Sequence, residues 1–165
     1  MKELVIGLGS NLGDRERNIA DAVFLLSLEF GQPERVSALY ETEPWGFESV
    51  NRFLNAVAVF RPGTAAVGLE ERLQGYLQTL LSVEERLGRS RSGEGYADRI
   101  IDLDLLFFGD TVLCIPGLTV PHPLLQERYF VLKPLVEVCP NLIHPVLKKS
   151  ALELCEALNA LSNRD

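Results

Sequence analysis

Two carboxylates stand two positions apart in Arg99-Ile100-Ile101-Asp102-Leu103-Asp104-Leu105-Leu106-Phe107-Phe108, an otherwise apolar run closed by the turn signal Gly109-Asp110. Such a run predicts a strand buried on both faces, near the centre of a sheet. Side chains alternate across a strand, so Asp102 and Asp104 share a face, one above the other. Like charges held that close among apolar neighbours repel and resist ionisation unless something positive lies beside them. A hard divalent cation with oxygen ligands meets that need, and nearby arginines are the other option. Just upstream, Arg89, Arg91 and Arg99 fall in a polar, glycine-bearing stretch. Arginine forks grip phosphate oxygens, and magnesium bridges carboxylates to substrate phosphates, so the neighbourhood points to phosphate binding. A solvated loop whose arginines pair with its own acids is the plain alternative.

Other residues could add to a site. Asn55 interrupts the apolar run Phe53-Leu54-Asn55-Ala56-Val57-Ala58-Val59-Phe60. Asparagine is poor in strands and costly to bury unpaired, so it should bond something specific. Phe53 shares its face, and an aromatic plate beside an amide suits a flat heterocycle with mixed hydrogen-bonding edges. A core phenylalanine beside an asparagine serving the local backbone explains the same two residues. His122, fixed between Pro121 and Pro123, could meet a phosphate, act as an acid or base, or simply lie on the surface. The turn Gly9-Ser10-Asn11-Leu12-Gly13 between a strand and a helix permits close backbone approach to a ligand, but it misses the dinucleotide and phosphate-loop spacings.

The elements that must position these groups follow from periodicity. Leu4–Leu8, Val36–Glu41, Phe53–Phe60, Arg99–Phe108 and Thr111–Ile115 read as strands, and Leu118–Pro123 as a rigid extended segment. Helical spacing marks Asp14–Phe30, Ala66–Leu87, a region from Leu125 and the C-terminal stretch Ala151–Leu161. The order strand, helix, strand, strand, helix, strand predicts an α+β, ferredoxin-like βαββαβ sandwich. Its antiparallel sheet would carry helices on one face, with an extra hairpin strand and C-terminal helices. At 165 residues, 47% of them hydrophobic and 24% charged, the chain fits a single domain spanning residues 1–165. A net charge of -7 argues against a general nucleic-acid or anionic-membrane surface. Three scattered cysteines with no C-x-x-C, and a start that enters a strand directly, predict a cytoplasmic protein without disulfides or zinc.

Five blocks in this order carry a specific resemblance: Gly9-Ser10-Asn11-Leu12-Gly13; Tyr40-Glu41-Thr42 with Pro44 and Gly46; Phe53-Leu54-Asn55-Ala56; Arg99-Ile100-Ile101-Asp102-Leu103-Asp104; and Val120-Pro121-His122-Pro123 with Arg128 and Phe130. From about Leu4 to Pro145 the chain resembles the 6-hydroxymethyl-7,8-dihydropterin pyrophosphokinases of folate biosynthesis. The resemblance implies a ferredoxin-like fold, and transfer of the pyrophosphoryl group of ATP to the pterin hydroxymethyl oxygen with release of AMP. It implies two Mg2+ ions on Asp102 and Asp104, and a catalytic set of Arg89, Arg99, Asp102 and Asp104. The pterin would be met by Gly9, Thr42, Pro44, Trp45, Phe53, Asn55, Asp102 and Phe130, with Phe53 and Phe130 sandwiching it. ATP would be met by Glu84, Arg89, Arg91, Tyr96, Arg99, Leu105, Thr119, His122, Pro123 and Arg128. Small-molecule substrates and a monomeric state complete the expectation. Two departures concern the nucleotide contacts. Tyr96-Ala97-Asp98 stands where many relatives have Trp-Gly-Pro, and Gly117 where some have arginine.

Overall fold

A computed structural model describes residues 1–88 and 98–163. Its centre is β1 (Leu4–Ser10), which pairs antiparallel with β4 (Phe53–Phe60) on one side and β5 (Asp102–Phe108) on the other. Two short strands, β2 (Arg35–Val36) and β3 (Tyr40–Thr42), both pair with the outer edge of β4. The spatial order β2–β4–β1–β5 is the ferredoxin-like arrangement that the element order predicts.

Helix α1 (Arg15–Phe30) starts where the Asp14 carboxylate accepts the Arg17 N–H at 3.1 Å, and it stops at Gly31 in a left-handed conformation, φ 84°. Helix α2 (Leu69–Arg86) begins at Gly68. Their apolar stripes, including Ile19, Ala22, Leu26, Leu73 and Leu80, pack on one face of the sheet. That face consists of alternate residues: Leu4, Ile6 and Leu8 of β1, Leu54, Ala56, Ala58 and Phe60 of β4, Leu103, Leu105 and Phe108 of β5. Helices α3 (Tyr129–Val138) and α4 (Ala151–Ser162) pack on the opposite face, over Val5, Val57, Val59, Leu106 and Phe107. The far end of this second face is the part left for a site.

Several elements differ from the sequence expectation. Val36–Glu41 is two strands, because Ser37 replaces a ladder bond with its side chain. Its Oγ accepts the Val57 N–H at 2.9 Å and donates to the Ala38 carbonyl at 2.8 Å. The pairings Val36↔Ala58 and Tyr40↔Asn55 leave one residue over, a β-bulge. The carboxylate strand starts at Asp102, since Arg99–Ile101 belong to its approach, and it forms the edge of the sheet, not its centre. Helices cover both its faces, which gives an edge strand the apolar run expected of a central one. The predicted Thr111–Ile115 strand is shorter, β6 (Leu113–Ile115), and pairs only with β7 (Leu118–Val120) in a separate hairpin that turns through Gly117, φ 81°. The helical region from Leu125 is a 3-10 turn (Leu125–Glu127) and then α3. Extended backbone at Arg128 divides them while its side chain is buried toward Asp104.

Candidate functional site

Across the open end of the second face, register puts unlike residues in rows. Asp102 on β5 pairs with Gly9 on β1, and Gly9 pairs with Asn55 on β4. One step along, Asp104 pairs with Gly7 and Gly7 with Val57. Alternation thus aims two carboxylates and an amide at the same side, separated by a strand whose residues there have no side chains. With strands about 4.8 Å apart, Asp102 and Asn55 flank a trough roughly 10 Å wide. A Cβ on Gly9 would stand 3.3 Å from Asn55 Oδ1 and 3.5 Å from the Phe53 ring, inside that trough. Glycine is needed here for space.

The walls come from elements folded over the sheet. The connection from β3 to β4 supplies Trp45 and Phe47, and the start of α3 supplies Phe130 and Val131. Phe47 meets the Phe53 ring edge-on at 6.2 Å, and Trp45 lies 6.3 Å from Phe130. The Arg128 guanidinium stacks over both rings, 4.8 Å from Trp45 and 5.7 Å from Phe130. Asn55 donates through Nδ2 to Thr42 Oγ1 at 2.6 Å and to the Tyr40 carbonyl at 3.4 Å. Both amide protons are thereby committed, which leaves Oδ1 as the atom suited to accept from a ligand.

The carboxylate pair is tolerated because arginines compensate it. Arg99 Nη1 lies 3.0 Å from Asp102 Oδ1, and Arg128 Nη1 lies 3.9 Å from Asp104 Oδ2. The two side chains remain 25% and 31% exposed, so a ligand can reach them. Among the described residues, no three His, Cys, Asp or Glu side chains gather into a cage. Two adjacent hard oxygen donors opening on a ligand trough fit magnesium, which keeps water and substrate oxygens in its shell. Asp102 and Asp104 would hold it.

His122 is outside the trough but close enough for Asp102 and Arg128 to act on its charge. Burial, with help from Arg128, pushes its imidazole down to about 4 against a smaller opposing pull from Asp102. Its Nδ1 accepts the Leu124 N–H at 3.2 Å, so the neutral ring carries its proton on Nε2. At neutral pH this histidine is a hydrogen-bond donor and a poor acid or base.

One recess gathers Gly9, Thr42, Trp45, Phe53, Asn55, Arg99, Asp102, Asp104, Arg128 and Phe130. Pro44 lies between the wall residues Glu43 and Trp45 without joining the wall. Thr119, His122 and Pro123 line a separate groove beside the β6–β7 hairpin. Leu105 and Glu84 are elsewhere. Leu105 points into the α1–α2 core, on the face opposite the carboxylates. Glu84 is buried on α2, where Oε2 accepts the Leu103 N–H at 3.4 Å. Arg89, Arg91 and Tyr96 lie outside the described residues. Sequence reasoning missed Gly7, Phe47 and Val131. For Gly7 the signal was present: Leu4, Ile6 and Leu8 alternate with Gly7 and Gly9, a strand with one apolar and one bare face.

A ferredoxin-like sheet bearing a carboxylate pair, arginines and an aromatic-walled trough defines an α+β enzyme of the small-molecule phosphotransferase class. Residues 5–140 match the model of the 7,8-dihydro-6-hydroxymethylpterin-pyrophosphokinase (HPPK) family, and the chain belongs to that family. It is 37% identical over 153 residues to the 2-amino-4-hydroxy-6-hydroxymethyldihydropteridine pyrophosphokinase of Aquifex aeolicus, covering 93% of this chain and 90% of the relative. It is 40% identical over 148 residues to the Porphyromonas gingivalis protein of the same name, covering 88% and 95%. Among solved structures, the wild-type Plasmodium falciparum HPPK-DHPS with pteroate shares the fold with a TM-score of 0.74 at 15% identity. That match takes in 99% of this chain, which spans 45% of the larger protein.

Proposed function

We propose that this chain transfers the pyrophosphoryl group of ATP to the hydroxymethyl oxygen of 6-hydroxymethyl-7,8-dihydropterin, giving the pterin diphosphate and AMP, a step of tetrahydrofolate synthesis. The observation that supports the reading is the row Asp102–Gly9–Asn55, which sets a carboxylate and an amide on opposite sides of a bare strand. A flat pterin lies in the trough with Phe53 and Phe130 against its faces and Asn55 and Thr42 at its polar edge. Its hydroxymethyl group then points toward Asp102 and Asp104.

The new bond joins the hydroxymethyl oxygen to the β-phosphorus. The bond from that phosphorus to the oxygen bridging the α-phosphate breaks, and AMP leaves with the bridging oxygen. Two magnesium ions bound by Asp102 and Asp104 would neutralise phosphate charge and sharpen the nucleophile. The protein's own part is placement and charge. Arg99 and Arg128, already beside the carboxylates, exchange these partners for phosphate oxygens. His122 donates Nε2–H to the triphosphate, and Thr119 and Pro123 flank the nucleotide. No side chain here acts as general base, and the hydroxyl proton passes to solvent. One catalytic domain does this, as a monomer in the cytoplasm, a reading supported by its acidic net charge and by Cys114, Cys139 and Cys155 being free thiols.

The test is to incubate the protein with ATP, magnesium and the pterin alcohol and to resolve the nucleotides. AMP formed only with pterin and metal together is the expected result. ADP in its place would assign ordinary kinase chemistry.

A further inference from the structure

Three separated stretches of chain meet at one exposed carboxylate. Asp98 Oδ1 accepts from Asn11 Nδ2 at 2.7 Å and from Ser49 Oγ at 2.6 Å, while Oδ2 accepts from Asn51 Nδ2 at 3.0 Å. Asn11, itself buried, brackets the next residue. Its N–H donates to the Arg99 carbonyl at 3.0 Å, and its Oδ1 accepts the Arg99 N–H at 2.6 Å. The same Asn11 amide also donates to the Asn51 carbonyl at 3.2 Å. A carboxylate can only accept when ionised, and every partner here donates, so bonds and charge agree. The Ser49 hydroxyl above all, joined by Asn51 and Asn11, holds the Asp98 carboxyl below the usual carboxylate range against the opposing effect of burial.

What these bonds restrain bears on the trough. The connection between Thr42 and Phe53 carries Trp45 and Phe47, two of its walls. The ends of this connection are fixed by β3 and β4, and Arg15 Nη1 secures the Arg52 carbonyl at 2.8 Å. Its C-terminal part, Ser49 to Asn51, is held to Asp98, on the far side of Trp45 and Phe47 from β3. On the other side of the clasp, Arg99 is the residue whose guanidinium meets Asp102.

We propose that Asp98 is a positioning residue for the pterin substrate: it ties the Trp45–Phe47 wall to the approach of the carboxylate strand and so keeps the trough at ring width. This rests on the pterin reading of the trough. The residue touches no substrate and acts through the wall it holds.

The experiment is steady-state AMP formation by the full chain for wild type, Asp98→Ala, Asp98→Asn, the pair Ser49→Ala/Asn51→Ala, and the triple variant, with thermal melts alongside. Asp98→Ala should raise the KM for the pterin about five- to tenfold, with the KM for ATP within about twofold of wild type. Asp98→Asn should fall between, since its oxygen can still accept from Asn11 and Ser49. The triple variant should come close to Asp98→Ala, because the Ser49 and Asn51 side chains lose the acceptor they share and only one local bond remains to be lost, the Asn51 N–H to Ser49 Oγ at 3.1 Å. An unchanged pterin KM in Asp98→Ala, equal rises in both KM values, or effects that multiply in the triple variant would each overturn the clasp. If Asp98→Ala fails to fold, the Ser49→Ala/Asn51→Ala pair carries the same expectation and the same refutation. Wild-type protein that makes no AMP would instead overturn the pterin reading itself.

Discussion

On the side facing α1 and α2, β1 places Leu4, Ile6 and Leu8, and its neighbours β4 and β5 answer with leucine, alanine and phenylalanine. On the other side the same strand places Val5 under the C-terminal helices, then Gly7 against the Leu106 side chain at the trough's edge, and Gly9 on its floor. The first side is closed by packing. The second is packed at one end and left bare at the other. Stability and chemistry are therefore separated by the two-residue period of one strand, so substitutions one position apart should fail in different ways.

The largest effect belongs to the bare side. Asp104→Ala should lower AMP formation on the order of 10²–10³-fold while the melting curve stays near wild type. A variant keeping most of its rate would remove the carboxylate from the chemistry. On the packed side, Leu26→Ala, at a position with no exposed surface, should destabilise the protein by about 2–5 kcal/mol in urea unfolding. Turnover per folded molecule should be unchanged. Should the rate fall together with stability, the two faces are coupled more tightly than the strand's alternation implies.

Gly9→Val sharpens the contrast further, since the backbone there is extended and the new methyls enter the trough. The expected outcome is a pterin KM raised about tenfold or more with little loss of stability. A smaller effect concerns His122, whose folded-state value of about 4 lies below the ordinary 6.5. Above pH 6.5 the group is neutral in both states and stability is flat. As pH falls from 6.5 toward 4 the unfolded chain takes up a proton that the folded one refuses, so stability declines. His122→Gln should reduce that slope. It should not abolish it, because burial lowers His144 in the same direction. An imidazole titration of His122 near 6.5 by NMR would sink this account.

The carboxylate strand was legible because its signal is local, an apolar run with Asp102 and Asp104 at strand spacing. Its place at the sheet's edge was not, because helices cover both its faces as they would a central strand's. The helices α1 and α2 were legible because their signal too is local. What escaped depends on partners distant in sequence. Ser37 splits a strand only because the Val57 N–H stands opposite its hydroxyl. Gly7 and Gly9, read with Gly13, miss the phosphate-loop spacing and fit a plain turn as well as a ligand approach; they become a trough floor only once β4 and β5 flank them. Arg128 breaks a helical run because Asp104 and Trp45 draw its side chain inward. Asp98 joins three stretches that no periodicity connects.

The carboxylate strand carries a bulge of its own. Along β5, Ile6 pairs with Leu105 and Val5 with Phe107, so Leu106 has no partner on β1. The extra residue turns Leu106 and Phe107 to the same side, under α3 and α4, and returns Phe108 to the core beside Tyr76. The strand thus changes phase between its polar and apolar halves. Were β5 regular at its present length, Asp102 and Asp104 would stay aimed as they are while the two phenylalanines exchanged destinations. The odd residue is consequently a phase shifter, which lets two successive side chains, Leu106 and Phe107, serve the same pair of helices.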